Sequence, residues 1–207
     1  IFEAVGLRRV VADYLGELIQ SASPDNHGGR WPSVLGLLEK SEKDLSKQFA
    51  DDPKTHALLL ERLADTNDAL NRTAVALEQL QQLHGLLEQT ESPESDRALD
   101  ALKHAAQLMR RLNRYPEALA IDEQLLPVFA RRYGLRSEEY GKLVQGLSGS
   151  LAGVGRMQEA RVRQVEGAAI MVQLFPNYLS LRVDAANDTA ILSSRQGLWR
   201  EAMDTLS

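Results

Sequence analysis

A chain of 207 residues with 24 Lys and Arg against 29 Asp and Glu carries a net charge of −5, and it contains no cysteine. That balance argues against a general nucleic-acid binder; the missing thiols exclude disulfides, thiol catalysis and most structural zinc sites without fixing a compartment. Hydrophobic residues make up 43%, enough for a folded core, yet no apolar run approaches the ~18–20 residues of a membrane span and no secretory leader is legible.

In chain order, residues 2–21 read as an amphipathic helix through Val5, Val10, Val11, Tyr14, Leu15, Leu18 and Ile19. A loop to Pro32 holds the breakers Pro24, Gly28 and Gly29, and a helix over about 33–50 follows. Residues 1–53 are thus expected to form an opening helix pair that caps what comes next. From there the apolar spacing i, i+3, i+4, i+7 predicts helix pairs at 54–70 with 73–90, 94–112 with 115–133, 137–154 with 157–174, and 178–195 with 198–207. Starts are marked by Asp52-Pro53 and Ser92-Pro93, N-cap residues followed by a first-turn proline, and by Ser137 ahead of Glu138 and Glu139. Pro127 falls inside a predicted helix and implies a kink or an early end. The chain stops at Ser207 within a helical pattern, so it reads as a piece of a longer protein.

The pairs repeat. Leu70-Asn71-Arg72-Thr73-Ala74-Val75-Ala76, Leu112-Asn113-Arg114-Tyr115-Pro116-Glu117-Ala118, Val154-Gly155-Arg156-Met157-Gln158-Glu159-Ala160 and Gln196-Gly197-Leu198-Trp199-Arg200-Glu201-Ala202 align with their last alanines 42 residues apart. Asn71, Asn113, Gly155 and Gly197 stand where a helix end needs a residue tolerant of the left-handed conformation. The alanines are small where the antiparallel partner helix must come close. Four repeats follow, over 54–91, 92–134, 135–175 and 176–207, the last truncated.

Helix pairs joined by such a turn resemble tetratricopeptide repeats, in the 42-residue form found in kinesin light chains and many bacterial signalling proteins. The small residue at position eight of each first helix (Ala64, Ala106, Ser148, Ala190) also fits, while Gln196 and Thr73-Ala74-Val75 depart from the pattern. The resemblance implies an all-α, right-handed superhelix of antiparallel helix pairs that binds a protein or peptide partner. A second resemblance covers 7–90: Val11-Ala12-Asp13-Tyr14-Leu15, Ser23-Pro24-Asp25, Leu37-Leu38-Glu39, Asp52-Pro53 and Leu70-Asn71-Arg72 are similar to the region after the membrane span of some bacterial serine/threonine kinases. Related repeats occur in winged-helix transcriptional regulators. Attached through such a span the chain would be extracytoplasmic, and otherwise cytoplasmic; this segment itself is not expected to enter a membrane.

Catalytic patterns are missing from the sequence. His27, His56, His84 and His104 never pair at i+3 or i+4, and no G-x-S-x-G turn exists. Acidic pairs such as Asp51-Asp52 and Glu138-Glu139 sit at helix starts, where capping explains them. The segment is therefore read as no enzyme, with no cofactor and no metal. Gly146, Gly149 and Gly153 fall on one helix face; each costs ~1 kcal/mol relative to Ala, so the stripe marks either a close helix–helix contact or a bare floor for a partner.

Residues 1–100 carry a net −8 and 101–207 a net +3, with Arg110, Arg111, Arg114, Arg131, Arg132 and Arg136 concentrated in the middle. Aromatics do not interleave with these arginines, so nucleic acid is not expected. In tetratricopeptide arrays the first helix of each pair lines the groove. With Leu60, Leu102, Val144 and Ala186 made equivalent, the groove would present Glu61, Asp65 and Asp68, then Lys103, Gln107 and Arg110, then Lys142, Gln145 and Gly149, then Asn187. The Lys and Asn with which the family's best-known groove grips a terminal carboxylate are replaced by Glu61 and Asp65, so a ligand of mixed charge fits better. A homodimer, or docking onto another domain of the same chain, is the structural alternative.

Overall fold

In a computed structural model, Gly16, Gln20 and residues 33–175 are described. The predicted helices over 2–21, 178–195 and 198–207, the loop before Ser33, and Asn187 lie outside the described residues. Every element from 34 to 174 is an α-helix: α1 (Val34–Gln48), α2 (Pro53–Ala69), α3 (Thr73–Thr90), α4 (Asp96–Arg111), α5 (Tyr115–Tyr133), α6 (Glu138–Gly153) and α7 (Met157–Leu174). The chain divides into two compact units between Ser95 and Asp96.

Local chemistry explains the boundaries. Asp52 caps α2 by accepting from Thr55 N–H at 3.1 Å, with Pro53 in the first turn. Ser137 caps α6 from Tyr140 N–H at 3.1 Å, and Ser33 caps α1 from Gly36 N–H at 3.0 Å. The expected start of α4 after Ser92-Pro93 needs correction: Ser92 closes a turn, taking Glu94 N–H on its hydroxyl and Ser95 N–H on its carbonyl, and the helix begins at Asp96. Pro127 does not end α5, which runs on to Tyr133.

The three turns within pairs share one geometry. Asn71 and Asn113 take φ of +59° and Gly155 φ of +84°. Around each, the next residue's N–H returns to the helix: Arg72 to Asn67 O at 2.8 Å, Arg114 to Met109 O at 2.8 Å and Arg156 to Leu151 O at 2.9 Å. Asn71, Asn113 and Gly155 bond in turn to Asp68, Arg110 and Ala152 carbonyls. These paired bonds close the helix ends and free the chain to reverse. Ala76, Ala118 and Ala160 are fully buried in the first turn of each second helix, and Ala64, Ala106 and Ser148 of equal register are buried in the first helices. Where that register holds a serine, its hydroxyl is satisfied by the Ala160 carbonyl at 2.9 Å.

In the first unit, a polar knot joins three helices. Buried Asn67 donates to Glu42 at 2.7 Å and to Gln79 at 2.9 Å, while Arg72 donates to Asn67 at 2.6 Å and to Glu42 at 2.9 Å. In the second unit, the core runs through Leu99, Leu125, Phe129, Tyr140, Leu143, Val144 and Ile170 and continues to Leu119, Leu147, Leu151 and Ala160. Each buried Leu or Phe contributes ~1.5–3 kcal/mol relative to exposure. One further tie recurs at twice the repeat length: Arg72 lies 3.7 Å from Glu39, and Arg156 lies 3.1 Å from Glu123.

Candidate partner-binding face

Within the second unit, α4 and α6 are the first helices of successive pairs and they touch. Lys103, Gln107 and Arg110 follow one another at i, i+4, i+7 on α4; Lys142, Gln145 and Gly149 line the corresponding stretch of α6. Lys103 and Lys142 meet in an open cleft of about 440 Å³, lined also by Asp96, Asp100, Tyr133, Glu138 and Glu139. Lys103 is held 2.6 Å from Asp100 and 5.8 Å from the centre of the Phe129 ring, and Lys142 pairs with Glu138 one turn back. Asp96 receives Arg132 at 2.7 Å and the Tyr133 hydroxyl at 2.8 Å. The Tyr133 hydrogen bond, with Arg132 beside it, holds the Asp96 carboxyl below the usual carboxylate range. Both signs of charge thus line one cleft, each lysine already facing a carboxylate of its own helix.

Arg110 has a different fate. Its Nη1 donates to Asp122 Oδ2 of α5 at 2.7 Å and to Ser150 Oγ of α6 at 3.2 Å, and the Ser150 hydroxyl donates to the same carboxylate oxygen at 2.6 Å. Asp122 is 1% exposed. Burial pushes its carboxyl up from the ordinary range, against the opposing pull of Arg110 and Ser150. A lone ion buried so deeply would be costly; Arg110 and Ser150 offset that cost. The glycines of α6 make the path. A Cβ on Gly146 would come 2.9 Å from Arg110 Nη2, and one on Gly153 would come 2.1 Å from the Tyr115 ring. One on Gly149 would meet Arg110 Cδ at an ordinary 3.5 Å. Two of the three glycines therefore seat side chains of the preceding pair, and Gly149 alone is left exposed without that reason.

The remaining sequence-predicted positions scatter. Gln107 is exposed; Gln145 packs its Cγ against Gly167 of α7, where a Cβ would lie 2.9 Å away. In the first unit, Asp65 is exposed with Arg62 at 3.7 Å, and Glu61 and Asp68 are half-buried. The basic concentration is also largely matched: Arg114 pairs with Glu117, and Arg132 with Asp96. Asp122 and Ser150 escaped the sequence reading. The signal for Asp122 was present, a carboxylate on the apolar stripe of Ala118, Leu119, Leu125 and Phe129. Among the described residues no group of acids and histidines could hold a metal ion, and no helix is long and apolar enough to cross a membrane.

Among solved structures, the chain is similar to BtubC (BKLC) from P. vanneervenii, with a TM-score of 0.69 and 16% identity over 97% of this chain and 83% of that one. It is likewise similar to a putative kinesin light chain with nearly identical TPR-like repeats from Podosopora anserina, with a TM-score of 0.67 and 18% identity over 92% of this chain and 90% of the other. The fold is a TPR-like helical repeat. A single-residue variant of the Podosopora protein matches the TPR-like chain equally well, at a TM-score of 0.68 and 18% identity over the same shares of both. No protein-family model matches the sequence, and no curated protein does. The TPR-like comparison therefore rests on shape and on the 42-residue register.

Proposed function

We propose that the chain is a non-catalytic protein-interaction module whose α4–α6 face receives a segment of a protein partner. The observation that carries this reading is the cleft in which Lys103 and Lys142 meet Asp96, Asp100, Glu138 and Glu139, on first helices of a TPR-like fold. Both signs of charge side by side select by register more than by strength, because exposed pairs contribute only ~0–1 kcal/mol each. Gln107, Arg110 and Gly149 extend the face, with Glu61, Asp65 and Asp68 as the corresponding positions of the first unit and Asn187 of the last repeat. The segment acts as the sensor or scaffold part of a larger bacterial signalling protein, a role supported by the kinase-like pattern of residues 7–90. A photo-crosslinking residue at Gln107 tests the reading: it should capture a partner from cell extract that the same residue at Gln81, on the exposed side of α3, does not. Equal capture at both positions would contradict it.

One observation favours a second, structural reading. Val162 and Val165 of α7 are 65% and 51% exposed. One period earlier, α5 holds exposed Ala120 and Glu123 at these positions, and two periods earlier α3 holds exposed Glu78 and Gln81. Among the described residues only α7 places two large apolar side chains there. An apolar step on an outer helix suits docking to a second copy or to another domain of the parent. Light scattering over a range of concentrations distinguishes it, since a dimer grows with concentration.

A further inference from the structure

Part of Arg110 is not used by the fold. A guanidinium carries five N–H groups, and Arg110 gives Nη1 to Asp122 and Ser150. Nε and Nη2 have no hydrogen-bond partner among the described residues, and the Arg110 side chain keeps 20% of its surface exposed. The group is nevertheless fixed in place. It lies on Gly146, with Nη2 at 2.9 Å and Cζ at 3.3 Å from where a Cβ would stand, and Asp122 holds Nη1. Its charge is cancelled at 2.7 Å by a carboxylate that solvent does not reach. Beside it Gly149 is exposed, and packing would accept an alanine there.

We propose that Arg110 is a neutralised hydrogen-bond anchor that takes a main-chain carbonyl of an extended partner segment laid along the α4–α6 face. The free donors ask for oxygen. A carboxylate would meet an Arg110–Asp122 pair instead of a free cation and would still have to shed its water, the larger cost for an ion. A peptide carbonyl meets the same preorganised donors without that cost. The bare Cα of Gly149 lets a backbone come close, as a side chain there would not. This rests on the partner-face reading above and gives it a chemistry: an uncharged stretch of main chain at Arg110, with charged side chains reaching toward Lys103 and Lys142.

The test uses the whole chain and short peptides selected against it from a random display library, with binding followed by fluorescence anisotropy at low and high salt. Arg110→Lys keeps the charge and loses the planar fork; it should weaken the selected peptides ~10-fold or more. Salt should change the factor lost on Arg110→Lys by less than ~3-fold, because no free charge pair forms at Arg110 itself. If Arg110→Lys does not fold, Gly149→Ala replaces it: a chain at least as stable as the wild type should bind the peptides less well. Peptides that bind the substituted chain as tightly as the wild type, or whose loss on Arg110→Lys disappears in high salt, overturn the anchor. If such peptides are still lost on Lys103→Glu or Lys142→Glu, the face stands and the anchor alone falls. Peptides indifferent to every one of these changes, or a library without binders, overturn both.

Discussion

Gly153 lies so close beneath the ring of Tyr115 that a Cβ on it would meet ring carbons at 2.1 Å. Tyr115 is the first residue of α5 and Gly153 the last of α6, so their contact fastens the second pair to the third. Gly153→Ala should therefore lower stability by ~1–3 kcal/mol through overpacking, although alanine favours helix. Gly149→Ala, on the same stripe, should raise it by up to ~1 kcal/mol. Urea melts of the two variants should shift in opposite directions.

The turn alanines carry a related expectation. Ala118 and Ala160 are fully buried at the start of α5 and α7. Leucine at either position overfills a close helix crossing and should cost ~1–3 kcal/mol. Thermal melts unchanged in both variants would show that the pairs can open to admit the larger side chain.

At the third turn, Gly155 sits at φ +84° while the equivalent Asn71 and Asn113 sit at +59°. Asparagine tolerates that region and alanine does not. Gly155→Asn should keep most of the stability, whereas Gly155→Ala should lose ~1–2 kcal/mol. Chemical denaturation of the two side by side measures the difference.

Asp52 gives the fold a dependence on acid. The hydrogen bond from the Thr55 hydroxyl, then that from the Thr55 N–H, draws its carboxyl below the ordinary range. A group whose pKa is depressed by folding stabilises above its unfolded value and loses that contribution as pH falls through the folded one. The wild type should therefore lose more stability than Asp52→Asn between neutral pH and the acid side of the carboxylate range. At neutral pH, Asp52→Ala should cost ~1 kcal/mol as a lost cap. Melts across pH that run parallel for wild type and Asp52→Asn would contradict the assignment.

The parts of this fold that sequence spacing revealed are those set by local backbone chemistry. Asn71, Asn113 and Gly155 announced the left-handed turns, and Asp52 and Ser137 announced their helices, because each acts within four residues of itself. What spacing did not reveal depends on where a long side chain ends. Nothing in the period sends Arg110 across Gly146 to Asp122, and the same residue read from sequence alone is simply one more groove cation. One further periodicity went unread near the start of the chain. Helix α1 ends at Gln48, one period before Thr90 ends α3, and Gly29-Arg30-Trp31-Pro32 stands one period before Asn71-Arg72-Thr73-Ala74 and two before Asn113-Arg114-Tyr115-Pro116. Gly28 stands there in place of the usual leucine, which kept the match out of the 42-residue alignment.

The most direct measurement sets the two faces of the second unit against each other. Two double variants are prepared, Lys103→Glu with Lys142→Glu on the cleft, and Val162→Asp with Val165→Asp on α7. The partner captured through Gln107 is purified, and its affinity for each is measured by calorimetry alongside a melt to confirm folding. Exposed charge reversals rarely move stability by more than ~1 kcal/mol, and substitutions at exposed valines move it by about as little, so both should remain folded. The account predicts that the cleft variant loses the partner and the α7 variant keeps it. A cleft variant that binds normally while the α7 variant fails would contradict it, and would move the interaction to the outer valines.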